Sequence, residues 1–325
     1  MDEWTRISFE ELLVNRKIRL ERALMGSPSD IHLVELLSEV DAALNRIADG
    51  TYGMCAVCNE AIEPDRLIAD PVVRFCIEHL TVDQQRALEE DLESAAEIQK
   101  NLLPSSDMQL HGWEMDYYYE GAGPVSGDYC DLLAVDKDFY FVIGDISGKG
   151  VAASMLMAHL HATFRSLVSL NLSLESIMER ASRMFCESTL PTHFATLVLG
   201  RVSHTGDVAI CNAGHNPPLI VRASSIELLE ANALPIGMFC DEYFSVSSKR
   251  LDAGEYIFLY TDGLTETFNE LEEEFGMERV KSVLRGQSAS SPKEVLSAMM
   301  RSVREFRARA QKSDDLTLMV IRRFG

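Results

Sequence analysis

Four acidic segments of this sequence share one arrangement, an aspartate expected at a strand end and followed by small residues. They are Ser126-Gly127-Asp128-Tyr129-Cys130-Asp131, Gly144-Asp145-Ile146-Ser147-Gly148-Lys149-Gly150, Tyr260-Thr261-Asp262-Gly263-Leu264-Thr265-Glu266 and Ser313-Asp314-Asp315-Leu316-Thr317. Strands that end this way project side chains into a common crevice at the edge of a sheet. Carboxylates gathered there repel one another unless cations neutralise them. An all-oxygen donor set selects Mg2+ or Mn2+ over zinc. Two such ions can share and deprotonate a water and clamp a phosphoryl group for in-line attack. Asp-Gly and Gly-Asp are ordinary turn dipeptides one at a time; four together beside apolar strands point to a metal site. Residues 144–150 also look like a phosphate loop. However, three residues rather than four separate Gly144 from Gly148, and Gly150 stands where Ser or Thr would hold magnesium, so nucleotide binding is not expected.

A second constellation has different donors. Cys55-Ala56-Val57-Cys58 is followed, after seventeen residues, by Cys76-Ile77-Glu78-His79. Two short clusters let each pair grip one face of a tetrahedral ion, and thiolate and imidazole are ligands that zinc favours. Four protein ligands close the coordination shell, so the expectation is one structural Zn2+ rather than a catalytic one. The other four cysteines, Cys130, Cys186, Cys211 and Cys240, lie singly and far apart. They read as buried thiols of a reduced, cytoplasmic protein.

The elements that must position these residues fall into two textures. Ser8 can cap a helix carrying Phe9, Leu12, Leu13 and Ile18. Residues 26–30 are a turn, and helical spacing resumes over 31–47. The cysteine-rich module follows, to about His79. Residues 81–103 carry one apolar stripe among many charges, as an amphipathic helix that packs on a domain or pairs with a second copy. From Gly112 onward strands and helices mix. Strands are expected over 139–143, 194–202, 207–212, 219–222, 256–260 and 316–322, and helices over 150–170, 174–188 and 292–310. Strands in adjacent pairs with helices grouped between them favour an antiparallel α+β layering over a doubly wound sheet. The expected organisation is a helical hairpin with a finger (1–80), a linker helix (81–104) and an α+β domain (105–325).

The chain has 325 residues, 30 basic and 51 acidic side chains and a formal charge of -21. That balance disfavours nucleic-acid backbones, which need Lys and Arg, and anionic lipid surfaces. The first eleven residues carry Asp2, Glu3, Glu10 and Glu11 where a secretory leader would need basic and apolar residues. No apolar run approaches the roughly 18 residues of a spanning helix.

The segment from Ala43 to Cys58, with Ile62, Arg66-Leu67 and Pro71 before Cys76, resembles a DksA/TraR-type zinc finger. Its fourth ligand, His79, stands where that family more often has Cys. The four acidic segments, together with Glu97-Ile98-Gln99-Lys100-Asn101-Leu102-Leu103-Pro104, Phe194-Ala195-Thr196, Asn212-Ala213-Gly214-His215-Asn216-Pro217 and Leu234-Pro235-Ile236-Gly237, resemble the SpoIIE/RsbU branch of the PPM-type metal-dependent Ser/Thr protein phosphatases, which are protein phosphatase 2C-like. This second resemblance runs from about Ala96 to Arg322 and implies an α-β-β-α sandwich with two Mn2+ or Mg2+ at one end of its sheets. It implies that Asp145 bridges both ions, with the Ile146 carbonyl as a further ligand. It implies Asp128 on the second ion and Asp262 and Asp314 on the first, with Asp315 able to exchange roles with Asp314 and Asp131 acting through water. His215 is expected to be structural, and Lys149 an exposed turn residue. The implied activity is hydrolysis of phosphoserine or phosphothreonine on a partner protein, typically an anti-anti-sigma (STAS) protein. The zinc module would be regulatory, acting through the linker helix in a homodimer. Two other readings stay open at this point: a transcription regulator that binds RNA polymerase through the zinc module, and a redox-sensing adaptor acting through Cys55, Cys58 and Cys76.

Overall fold

The computed structural model describes residues 3–26, 30–79, 82–190, 192–287 and 290–324. It divides into two compact units, Met1–Asp91 and Leu92–Gly325. In the first, α1 (Glu3–Gly26) packs on α2 (Ile31–Ala48). Asp30 caps α2, its carboxylate accepting from the His32 and Leu33 N–H groups. Helix α1 is already formed at Glu3, so Ser8 lies inside it rather than at its start. The expected turn falls largely on residues 27–29, and the expected linker start on Thr81; both lie outside the described residues. Leu13, Val40, Ala43 and Ile47 form a core with Tyr52, Ile62, Leu67, Val72, Cys55 and Cys76, so the cysteine module is built on the hairpin. Its short helix α3 (Pro64–Ala69) opens on proline, whose missing N–H costs nothing there.

Helix α4 (Val82–Leu102) leads into the second unit. There the chain runs β1 (Met108–Leu110), β2 (Trp113–Glu120), β3 (Tyr129–Val135), β4 (Asp138–Ile146), α5 (Gly150–Val168), α6 (Leu174–Ser188), β5 (Ala195–Ser203) and β6 (Asp207–Ala213). It continues through β7 (Leu219–Val221), β8 (Ile226–Leu228), β9 (Ser247–Arg250), β10 (Tyr256–Tyr260), α7 (Gly276–Arg285), α8 (Pro292–Arg307) and β11 (Leu316–Arg323). One sheet has the order β1-β2-β11-β10-β7-β8 and the other β3-β4-β5-β6-β9, with every pairing antiparallel.

Three apolar layers give this architecture its order. Met157, Leu160 and Phe164 of α5 and Ile177, Met178 and Phe185 of α6 pack on Tyr140, Val142, Leu197 and Leu199 of the second sheet. Phe141, Ile143 and Val198 on the opposite face of that sheet meet Ile257, Leu259, Met319 and Ile321 of the first. Phe258, Tyr260, Leu318 and Val320 then pack under Val280, Val295, Met299 and Val303 of α7 and α8. Alternate residues of β4, β10 and β11 thus face opposite layers, as the two-residue period of a strand requires. The result is the expected α-β-β-α sandwich. Strands β1, β2, β3, β8 and β9 and helix α7 were not anticipated; several are short or carry mixed polar residues, so they lack a clean period.

One expectation about the cysteines fails. Cys130 and Cys211 are free and buried, but Cys186 and Cys240 are joined in a disulfide, with Cα atoms 5.6 Å apart. They lie 54 residues apart and are brought together by packing of the 236–240 loop on α6, which spacing alone does not disclose. Among the described residues, no helix is long and apolar enough to cross a membrane.

Candidate metal centres

The carboxylates of the second unit converge from both sheets. Asp145 and Ile146 end β4, Asp262 opens a single 3-10 turn directly after β10, Asp314 and Asp315 precede β11, and Asp128 precedes β3. Two glycines make the approach possible. A Cβ on Gly127 would lie 3.2 Å from the Ile146 carbonyl oxygen and 3.6 Å from Asp145 Oδ1, which puts the Asp128 loop against the end of β4. A Cβ on Gly263 would fall 1.9 Å from the Asp315 carbonyl oxygen, so only glycine lets the Asp262 turn close on the Asp314-Asp315 segment.

The shared charge is visible in the acidities. Burial, then Asp262, Asp314 and Asp315, push the Asp145 carboxyl up to about 7. Burial, then Asp314, raise Asp262. Burial, then Asp145, push Asp128 well above the usual carboxylate range. Burial first, and then like charge, holds each of these groups away from the anionic form, and a bound cation would relieve that condition. The donors are all oxygen, so the set suits a hard divalent ion.

The structure separates the members of the set. Asp128 is almost fully buried, and its Oδ2 accepts from the hydroxyls of Thr261 (2.8 Å) and Thr317 (2.5 Å). Thr317 N–H donates in turn to the Thr261 hydroxyl at 2.9 Å, so Asp128 is clamped to the ends of β10 and β11. Asp315 spends both carboxylate oxygens on backbone: Oδ1 accepts from Ala122 N–H (2.5 Å) and Oδ2 from Gly127 N–H (2.9 Å). Asp314 is more open and pairs with Lys149 Nζ at 3.0 Å. Lys149 is exposed in the turn before α5, as expected, and there it also donates to the Ser313 carbonyl.

Asp131 stands apart. It is fully buried and receives two hydrogen bonds of 2.9 Å from Arg165 on α5, with His161 Nε2 3.7 Å away. Both oxygens are engaged by that fork, so the expected water-mediated metal role has no support; Asp131 instead fastens β3 to α5. His215 is buried, as expected of a structural histidine. Its Nδ1 lies 2.8 Å from the hydroxyl of Thr196, the residue paired with Asp145 across the β4-β5 ladder. Burial lowers its pKa to about 4, so the ring is neutral.

Gln99 of α4, within the 97–104 segment, is buried and shares two hydrogen bonds with the backbone of Ser126. Its Nε2 donates to the Ser126 carbonyl (2.7 Å), and Ser126 N–H donates to Oε1 (3.0 Å). No spacing rule singles out Gln99, Thr261, Thr317 or Lys149, because their partners lie far along the chain.

The cysteine module is more compact. One ligand atom from each of Cys55, Cys58, Cys76 and His79 can be chosen so that all lie within 4.8 Å of one another. Cys76 Sγ is 3.1 Å from His79 Nδ1 and 3.8 Å from Cys58 Sγ. Arg46 of α2 donates to the Val72 and Val73 carbonyls at 2.9 Å, and the Tyr52 hydroxyl to the Pro71 carbonyl at 2.8 Å, so the knuckle is anchored to the helical hairpin. The donor set fits a closed tetrahedral Zn2+ site.

Comparison with known proteins finds a family for each of the two regions. The family profile described as Stage II sporulation protein E (SpoIIE) matches residues 136–324, and that of the prokaryotic dksA/traR C4-type zinc finger matches residues 50–78. Protein IcfG of Synechocystis is 28% identical over 267 residues, covering 72% of this chain and 41% of its own length. Phosphoserine phosphatase RsbP of Bacillus subtilis is 30% identical over 185 residues, 54% of this chain and 45% of its own. This chain thus spans under half the length of these two relatives. Among solved structures, the SiaA-PP2C domain of Pseudomonas aeruginosa superposes with a TM-score of 0.65 at 19% identity, over 73% of this chain and 97% of that domain. The shared fold is that of protein phosphatase 2C.

Proposed function

This chain belongs to the SpoIIE family, and we propose that it is a metal-dependent protein phosphatase that hydrolyses phosphoserine or phosphothreonine on a partner protein. The observation that carries the reading is the convergence of Asp128, Asp145, Asp262 and Asp314 with the Ile146 carbonyl at one end of the two sheets. Asp145 would contribute to both ions and the Ile146 carbonyl would add a ligand, while Asp262 and Asp314 would complete the first site and Asp128 would serve the second. Of the adjacent pair, Asp314 takes the ligand role, because Asp315 is committed to the backbone of Ala122 and Gly127. Two bound Mn2+ or Mg2+ would supply an activated water and charge stabilisation for phosphoryl transfer. The chain's own part is to hold the carboxylates in register, through the Thr261 and Thr317 hydroxyls on Asp128 and the His215–Thr196 contact beside Asp145. With that nucleophile, neither a histidine base nor a covalent intermediate is needed.

The proposed partner is a phosphorylated anti-anti-sigma (STAS) protein in the cytoplasm, in line with RsbP, which is a phosphoserine phosphatase. The zinc module, residues 1–80, is regulatory, the 81–104 helix is the linker through which a homodimer forms, and 105–325 is the catalytic domain. Gln99 gives the linker a direct grip on the loop that carries Asp128. The test is phosphate release from phosphoserine-bearing casein in Mn2+, together with capture of the native partner on Asp262→Asn protein. Wild-type protein that is folded and Mn2+-bound yet releases no phosphate from any phosphoprotein would reject the reading.

A further inference from the structure

We propose that Cys186 and Cys240 form a reversible redox site that tethers the loop 238–243 to α6 beside the metal cleft. Four observations place it there. First, α6 ends at Ser188, and a short connection leads into β5 at the end of the sheet that carries Asp145 and Ile146. Second, Ile146 pairs with Ala195, and Ala195 exchanges two backbone hydrogen bonds of 2.9 Å with Ile236. Two strand spacings, about 10 Å, therefore separate the metal-ligand strand from the root of the loop. Third, that root is fixed independently of the cysteines: Ile236 is buried, and a Cβ on Gly237 would meet the Phe185 ring at 2.6 Å. Fourth, beyond the root the side chains of Met238, Phe239 and Tyr243 are 48%, 56% and 85% exposed, and burial resumes only at Phe244. Besides the disulfide, the polar tie between this stretch and α6 among the described residues is an exposed Arg183–Asp241 pair at 3.9 Å, and such pairs contribute little.

The chemistry separates this pair from the other cysteines. Cys130 and Cys211 are buried and solitary, and Cys55, Cys58 and Cys76 belong to the zinc set. Cys240 is exposed and Cys186 half-buried, so the pair is open to an oxidant of the peroxide class. The Cys240 thiolate attacks hydrogen peroxide, the O–O bond breaks, and a sulfenic acid and one water result. The Cys186 thiol then attacks that sulfur, forms the S–S bond and expels a second water. Two thiols lose two electrons and two protons, and one peroxide becomes two waters. Thiol–disulfide exchange with a dithiol reductant restores the starting state.

Oxidation pins an apolar rim that a protein substrate must pass and a small phosphate ester does not. This consequence rests on the phosphatase reading; the redox site does not. Full-length, zinc-loaded protein is treated with hydrogen peroxide or with dithiothreitol, then alkylated and digested. Peroxide is expected to remove two alkylatable thiols, yield one Cys186–Cys240 linked peptide and leave one zinc per chain. Dithiothreitol is expected to reverse this and lower the thermal midpoint by several degrees, as loss of a cross-link closing a long loop requires. In Cys186→Ser/Cys240→Ser protein the midpoint shift is absent. Between the two states, KM for phosphoserine-bearing casein changes at least threefold, while p-nitrophenyl phosphate turnover stays within twofold. Free Cys186 and Cys240 after peroxide, or oxidation confined to the zinc cysteines with release of the metal, would overturn the proposal, as would an identical midpoint shift in the double variant. Cycling of the disulfide with no phosphate release in either state would sustain the redox site and reject the phosphatase.

Discussion

The two proposed metal centres of this molecule are built in opposite ways. The zinc set takes four ligands from residues 55–79, two from each of two short clusters, inside the core of a small helical unit. The carboxylate set would take its ligands from residues 128, 145, 262 and 314, so no two are close in sequence and each depends on a different strand end. In the first, local chain geometry makes the site and the site then holds the fold. In the second, the finished sandwich makes the site, and hydrogen bonds such as Thr317 to Asp128 and Gly127 to Asp315 hold it against its own repulsion. A local site should therefore fail by unfolding its unit, and an assembled one by losing metal or activity while the fold survives.

The contrast breaks most sharply at Cys55. Cys55→Ser, or zinc chelation, is expected to unfold the finger, since a structural zinc site contributes on the order of 10 kcal/mol. Limited proteolysis should then cut within residues 1–80 while the 105–325 region stays resistant; equal resistance of both regions would remove the distinction. The next effect is at His215, whose pKa of about 4 lies below the ordinary histidine value. The unfolded chain takes up the proton first, so the contribution is intact above about pH 6.5 and is lost as pH falls toward 4. The loss amounts to roughly 3 kcal/mol. Urea unfolding of wild type against His215→Gln across that range should show the difference; parallel curves would contradict it. Smaller still is Thr317→Val, which removes one charge-assisted hydrogen bond worth about 2 kcal/mol from Asp128. Its expected signature is a roughly tenfold rise in the Mn2+ needed for half-maximal turnover, with the thermal midpoint moved by a few degrees at most. Unchanged Mn2+ dependence would show that the clamp does not serve the metals.

How much could be read from the chain follows the same division. Cys55, Cys58, Cys76 and His79 were legible because two short spacings encode one tetrahedron. Asp128, Asp145, Asp262 and Asp314 were legible as a set because each sits beside Gly, Ser or Thr at a strand end, Asp145 and Asp262 at the close of one and Asp128 and Asp314 at the start of one; their assignment to ions came from a resemblance to known phosphatases. The long apolar strands β4, β5, β10 and β11 and the helices α5, α6 and α8 carried clear periods, whereas β2, with Glu114, Asp116 and Glu120 among its aromatic residues, did not. Gln99, Lys149, Thr261 and Arg165 escaped because their partners lie 27 to 164 residues away, and polar residues have no period that announces a partner. The Cys186–Cys240 bridge escaped for the same reason: a pairing 54 residues apart is set by how one loop lies on one helix.

The central claim is that the assembled carboxylates are a metal-loaded phosphatase site. Its most direct measurement is Mn2+ binding by calorimetry alongside phosphate release from phosphoserine-bearing casein, for wild type and for Asp145→Ala, with zinc content and thermal midpoint recorded for both. Wild type should bind two Mn2+ and turn over. Asp145→Ala should keep its zinc and its fold, lose Mn2+ binding and fall in rate about a thousandfold, an activation difference of ~4 kcal/mol. Full turnover by folded Asp145→Ala protein would contradict it.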